Sequence, residues 1–482
     1  MNRSGDRSPD TQIRLGYPVP IMILCFVGLY LISKGVSSSP PFNGQTVILL
    51  TSMLVISGVL YLVQIHRVSE NRYGPNGIMW IICTGIILRI LVFFSNPMVE
   101  DDFYRYMWDG AVTSGGFNPY KYSPEEILMK APGVPGKLMV LAEESNGIIE
   151  RINHPHLRTI YPPVAQTAFA LASIIRPWSI LSWRAVLLIF DFLTLVLLLK
   201  TLKRLELHPN LLAIFWLNPL LITVTYNSCH MDLLMFPFLL ISILLALQQQ
   251  HAKSAVFLLL AAGVKLWPVI LLPLIIQQSA VIGIKETFKT LCVCALFFFL
   301  VFIASGFLSG PGDTSSLGAY SQSWENNSSL FRLILGSTQW ILPFMDIHPG
   351  HGQLLSRIIA GILVIGWTFY VVLKKTTGDY NLYSKTLAIV AAVFLLSPTQ
   401  FPWYYIWLLP FLVIRPSFSL LCLTVLMPLY YLQYFLEAGG RLDIFSDVIV
   451  WVEFVPIWLL LGYEYLLKGK KLQAWRDMQL NR

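Results

Sequence analysis

The run Glu100-Asp101-Asp102-Phe103-Tyr104-Arg105-Tyr106-Met107-Trp108-Asp109-Gly110 holds four acidic residues, one arginine and four aromatic rings, directly after an apolar run ending near Phe94. Carboxylates this close to hydrocarbon are costly to keep without a use. Adjacent carboxylates raise each other's pKa, and desolvation raises them further. Asp101 or Asp102 therefore suits a general base that takes a proton from a hydroxyl. Its neighbour can orient a substrate or bind a divalent cation, with Asp102 the candidate ligand. Aromatic faces dock a pyranose ring. On a helical reading, Tyr104, Arg105, Trp108 and Asp109 share a face with Asp101. Arg105 pairs with either a phosphate or Asp102.

Further along, His154-Pro155-His156-Leu157-Arg158 leads through Tyr161 into Pro162-Pro163. Arg158 suits a phosphate at headgroup depth, with His154 and Tyr161 as substrate-binding candidates in the same cluster; the alternative is a basic loop on lipid phosphates. Asn227-Ser228-Cys229-His230-Met231-Asp232 is a tight turn between apolar segments. Asn227, His230 and Asp232 either face a substrate or cap the two helices. Lys265 sits between Gly263 and Pro268 in an apolar stretch, where it holds a phosphate, pairs with Asp191 or reaches for the interface. Ser397 to Tyr405 brings Pro402, Trp403 and Tyr404, which wall a lipid or sugar groove or form an interfacial aromatic belt. Arg89 and Asp191 read as an ion pair within the membrane. Asn326-Asn327-Ser328-Ser329 contains glycosylation sequons, which carry meaning only if the host modifies this loop.

The elements that position these residues follow from composition. Hydrophobic residues are 55% and charged residues 12% of the 482, about half the usual charged share. Apolar runs recur from Tyr17 to Leu467 and must be helices, because hydrocarbon satisfies no backbone groups. The expected class is an all-α polytopic membrane protein of about 12 spans: 17–36, 45–65, 77–97, 183–200, 209–228, 231–249, 288–307, 352–373, 384–398, 402–414, 417–436 and 447–467. A broken re-entrant pair is expected at Ala255–Ile276. The polar first seventeen residues do not resemble a cleavable signal. The six cysteines lack disulfide or metal spacing and read as buried thiols. The net charge of +8 reflects basic cytoplasmic loops, not nucleic-acid binding.

Charge sets the orientation. With the N-terminus inside, Arg14, Arg67, Lys203, Arg204, Lys253, Lys285, Lys374 and the C-terminal tail are cytoplasmic, and the short outer loops carry few basic residues. The regions are then 1–97, a cytoplasmic tail and three spans; 98–182, an external catalytic loop with interfacial helices; 183–307, a membrane core with the re-entrant pair; 308–350, an external loop containing Tyr320 and Trp324; 351–467, the C-terminal spans; and 468–482, a basic cytoplasmic tail.

The acidic motif, Asn118-Pro119-Tyr120, Tyr161-Pro162-Pro163, Asn218-Pro219, Asn227 to Asp232, Val264-Lys265-Leu266-Trp267-Pro268 and Ser397-Pro398 through Tyr404 together resemble the GT-C superfamily of polyprenyl-phosphate-sugar-dependent membrane glycosyltransferases, in its bacterial mannosyltransferase-like branch. The resemblance spans roughly residues 98–410. It implies an external, periplasmic active site in a bacterial inner membrane, and a polyprenyl-phosphate-linked hexose donor, mannose by family likeness. It also implies a glycan or glycolipid acceptor, an acidic base in the first long loop, and inversion. Here that loop follows span 3 rather than span 1, and no soluble C-terminal domain follows. The competing expectations are a transporter or lipid flippase, and a non-catalytic subunit of a glycan-assembly complex. The transporter reading lacks an evident repeat. No cofactor is required beyond a possible divalent cation.

Overall fold

The computed structural model describes residues 18–35, 44–69, 76–308, 324–374 and 378–467. The N-terminal tail, Tyr320 and the basic tail at 468–482 lie outside the described residues. Among those described, regular structure is helical apart from one isolated bridge between Asn326 and Thr399.

Three apolar helices come first: α1 (Pro18–Ser33), α2 (Gly44–Ser69) and α3 (Gly77–Phe93). The first long loop then folds into α4 (Asp102–Ser114), α5 (Pro124–Leu128), α6 (Gly136–Glu144) and α7 (Pro163–Ile175). Local signals start two of these. Ser123 and Glu126 form a reciprocal capping box on α5, and α7 opens with Pro163 in its first turn, where the missing N–H costs nothing. Helices α8 (Ile180–Arg204), α9 (Ala213–Trp216), α10 (Pro219–Tyr226), α11 (Met235–Leu247), α12 (His251–Ala262), α13 (Leu272–Ile282) and α14 (Ile284–Leu308) follow.

Five described helices are long and apolar enough to cross a membrane: Gly44–Val68, Ile180–Arg204, Gly352–Leu373, Phe418–Ala438 and Leu442–Leu466. A pair bent by 50°, Pro209–Trp216 with Pro219–Tyr226, makes up to six. Of the other expected spans, some are shorter apolar helices, such as α1 and α3, and some are interrupted. The segment expected at 209–228 breaks at Asn218, whose Oδ1 accepts from the Leu221 N–H and starts α10 afresh at Pro219. That expected at 402–414 is split into Pro402–Tyr405, a 3-10 turn at Ile406–Leu408, and Leu409–Leu412. Pro402 and Pro410 each open a piece.

The break around Lys265 falls where the sequence places it: α12 ends at Ala262, and the chain resumes as a 3-10 turn at Trp267–Leu271. It is also a docking point. The Gly263 carbonyl accepts from the Val164 and Ala165 N–H groups at 2.9 and 3.2 Å, taking up two donors that the start of α7 would otherwise leave orphaned. A Cβ at Gly263 would sit 2.5 Å from Val164 Cγ2, so a larger residue would push the first loop off the break. At the far side of α7, Gly110 plays the same part. A Cβ there would lie 2.4 Å from the Phe169 carbonyl oxygen, which lets α4 pack directly on α7.

Arg89 and Asp191 form the expected ion pair, 2.6 Å apart and buried between α3 and α8. Tyr226 Oη donates to the same carboxylate at 2.7 Å, and Arg89 also donates to the Trp216 carbonyl at 2.7 Å. The pair thus holds both halves of the bent helix.

Candidate active site

Helix α4 starts at Asp102, with Asp101 in the N-cap position. That register faces Asp101, Asp102, Arg105 and Tyr106 into a cavity of about 820 Å³. The first and second long loops, the Lys265 break and the 397–407 segment meet around it. Of the residues singled out from sequence, Asp101, Asp102, Arg105, His154, Arg158, Tyr161, Asp232, Lys265, Trp403 and Tyr404 line it.

Five others stand outside the lining. Tyr104 turns away and accepts from Arg151 at 3.2 Å. Trp108 is buried and stacks on Trp178. Asp109 is buried, 2.9 Å from Arg105 Nε, and accepts from Gln166 at 3.0 Å. The expected grouping of Tyr104, Trp108 and Asp109 with Asp101 is therefore corrected. In a helix beginning at Asp102, the cavity face is i, i+3 and i+4, and Tyr104 and Trp108 fall on the inner face. Arg105 pairs with Asp109, not Asp102, and also donates to the Leu157 carbonyl at 3.0 Å. Asn227 clamps the chain just before the motif. Its Nδ2 donates to Ser95 Oγ and the Asn96 carbonyl, both at 2.8 Å, and its Oδ1 accepts from the Met98 N–H at 3.2 Å.

His230 is the fifth. Its ring stacks on Trp403 at 3.8 Å and is 1% exposed. The ring nitrogens lie 3.8 Å from Glu100 and 3.7 Å from Asp102, beyond hydrogen-bond reach. Burial, with Lys265 near, holds its pKa well below the usual imidazole value, so the ring is a neutral plate behind the carboxylates.

The carboxylates themselves are strongly shaped. Asn153 Nδ2 donates to Asp101 Oδ1 at 2.8 Å and to Asp102 Oδ1 at 3.0 Å. Burial and the neighbouring Asp102 raise Asp101 to about 6. Burial also raises Asp102, opposed by the Asn153 bond and the Lys265 charge. Glu100 is pushed well above the carboxylate range by burial and by Asp102 and Asp101, and it accepts from Tyr434 Oη at 3.1 Å. Three acids in one wall are thus held in unlike environments, the arrangement that divides proton-transfer roles.

Lys265 Nζ lies 2.6 Å from Asp232 Oδ1, which also accepts from Trp407 Nε1 at 2.6 Å. The ammonium stands 3.9 Å from the Tyr404 ring centroid and 5.1 Å from that of Trp407. Its partner is Asp232 rather than Asp191, which Arg89 engages. Arg158 pairs with Glu126 at 3.2 Å. Among the described residues, no group of three or more His, Cys, Asp or Glu is arranged to hold a metal ion.

Several lining residues carry no sequence signal: Asn153, Arg357, Tyr430 and Tyr434. The second loop is pinned by a side chain from each of two later segments. Ser329 N–H donates to Gln400 Oε1 at 3.0 Å, and Asn327 Nδ2 donates to Glu453 Oε2 at 2.7 Å. Asn327 is 4% exposed, so its sequon is sealed against a glycan.

Comparison with curated proteins and with solved structures gives no match. A family model described as alpha-(1->6)-mannopyranosyltransferase, N-terminal domain, matches residues 31–281, which include the acidic motif, Asn153, Asp232 and Lys265. With more than half of its 482 residues matched, the chain belongs to the alpha-(1->6)-mannopyranosyltransferase family and is a membrane glycosyltransferase that moves mannosyl groups.

Proposed function

We propose that the protein transfers mannose from a polyprenyl-phosphate-linked donor to a glycan or glycolipid acceptor, with inversion, on the external face of a bacterial inner membrane. The observation that carries this reading is a single cavity walled by carboxylates with raised pKa values, an ammonium and aromatic faces. Asp101 takes the acceptor hydroxyl proton as that oxygen attacks the anomeric carbon. The carbon–oxygen bond to phosphate breaks with its electrons going to the phosphate, which needs no acid. Lys265 and Arg158 favour the charge that develops there. Trp403, Tyr404 and Tyr161 dock the sugar. An α-linked product formed with inversion requires a donor whose anomeric phosphate is β.

The test is incubation of the purified protein with α- and β-anomers of polyprenyl-phosphate mannose and with other polyprenyl-phosphate hexoses, scoring donor loss. The β-mannose donor should be consumed. The base must be ionised, so kcat/KM should rise with pH through about 6, following the Asp101 value. Consumption of the α-anomer alone with formation of an α-linked product would refute inversion, and consumption of no donor would refute the reading.

Twelve crossings with both termini cytoplasmic, and the 98–182 and 308–350 loops external, remain the topology favoured by the Lys and Arg distribution. A cysteine at Lys130, in a cysteine-free background, should react with an impermeant reagent in cells whose outer barrier is opened. Labelling seen only after lysis of the inner membrane would invert the arrangement.

A further inference from the structure

Part of the cavity wall is apolar. One helix supplies Arg357, Ala360, Gly361, Val364 and Ile365 to the lining, and Val393 and Leu396 from Asp379–Leu396 line it as well. The spacing i, i+3, i+4, i+7, i+8 is one continuous stripe of a helix. The helix is Gly352–Leu373, long and apolar enough to cross a membrane. Its stripe begins with a guanidinium and continues as small and aliphatic side chains, which matches an amphiphile with an anionic head and a hydrocarbon tail.

Two features fix the head end. Arg357 Nη2 donates to the Trp324 carbonyl at 2.9 Å, and the guanidinium carbon lies 5.4 Å from the Phe331 ring centroid. Trp324 packs on His154, 4.5 Å between centroids, which ties Arg357 to the first loop. A third feature opens the tail end. A Cβ at Gly361 would meet nothing within 4 Å, and the neighbouring Ile362 and Ile365 are 63% and 49% exposed. On a membrane-crossing helix, that exposed apolar surface faces lipid.

We propose that Arg357 binds the phosphate of the lipid-linked donor and that its isoprenoid chain runs along Ala360, Gly361, Val364 and Ile365, leaving the cavity sideways past Gly361. This rests on the donor reading above and assigns the carrier's place within it. Arg357 then joins Lys265 and Arg158 around the phosphate from a helix outside the family match, which ends at residue 281. A guanidinium forks around phosphate oxygens where an ammonium gives only a point charge.

The experiment uses the full chain in nanodiscs and measures binding of a short and a long polyprenyl monophosphate, with phosphatidylglycerol as competitor. Arg357→Ala should weaken both phosphates roughly tenfold or more, and Arg357→Lys should restore part of the loss. Gly361→Phe fills open space. It should remove the advantage of the long chain while leaving the short one unchanged, and should keep the wild-type thermal midpoint. Wild-type binding of both phosphates in Gly361→Phe overturns the tail path even if Arg357→Ala does not fold. Equal displacement by phosphatidylglycerol makes the stripe a site for bulk lipid and overturns the assignment. Turnover of the donor with unaltered variants defeats this proposal alone. Arg357-dependent binding without transfer from any donor defeats the donor reading alone.

Discussion

Asp101→Asn should lose about 10²–10⁴-fold in transfer rate while keeping the wild-type thermal midpoint. An amide preserves the shape of the side chain and its contact with Asn153, 2.8 Å away, but cannot accept the acceptor's proton. Asp101 ranks above Asp102 because burial and the adjacent charge raise it to about 6, which brings its basicity near working pH while leaving most of it ionised at neutrality. Asp102 is committed more widely: it accepts from Asn153 and from Tyr106 Oη, and faces the His230 ring. Single-turnover rates for both asparagine variants, beside their melting curves, decide the matter. Near-wild-type transfer in both would sink the catalytic assignment.

Lys265→Ala should lower stability by about 3 kcal/mol, the lower end for a broken buried pair because the ammonium keeps 21% exposure. The cost lies on the partner. Asp232 is 1% exposed, and without Lys265 its charge would be left facing the Trp407 N–H with no counter-charge beside it. Donor affinity should fall as well, since Asp232 would then put uncompensated negative charge beside the phosphate. Adding Asp232→Asn should recover much of the stability without restoring donor binding. A double-mutant cycle read by chemical denaturation and by binding separates the two effects. Additive stability losses would show that the 2.6 Å contact is not a coupled pair, and undiminished donor binding by Lys265→Ala would remove it from the phosphate site.

What could be read from the sequence was whatever lies close together along it. The acidic motif, the Asn227–Asp232 turn and the Gly263–Pro268 break are each local, and all three appear as distinct features of the fold. The motif's helical face differs from the sequence reading because the helix begins at Asp102 and leaves Asp101 outside it as the N-cap. Asp101 thus shares the cavity with Asp102, Arg105 and Tyr106, while Tyr104 and Trp108 are buried away from it. The partners that tune the acids were illegible for a different reason. Asn153 is 51 residues from Asp102, and Tyr434 is 334 from Glu100; no periodicity links them. Crossing segments broken by Asn218-Pro219 or by Pro402 and Pro410 looked continuous, since hydropathy averages over a break that a proline makes at one residue.

The Arg89–Asp191 pair carries a consequence for biogenesis. Its members are 102 residues apart and sit in separate helices, both buried. Each alone would burden its helix by about 2.5–3.5 kcal/mol on insertion scales, a penalty relieved only when the two meet. Helix α3 is therefore relieved of that burden only when α8, synthesised after the first long loop, arrives with the counter-charge. The closing of one salt bridge marks the moment at which the N-terminal part of the chain becomes a committed unit.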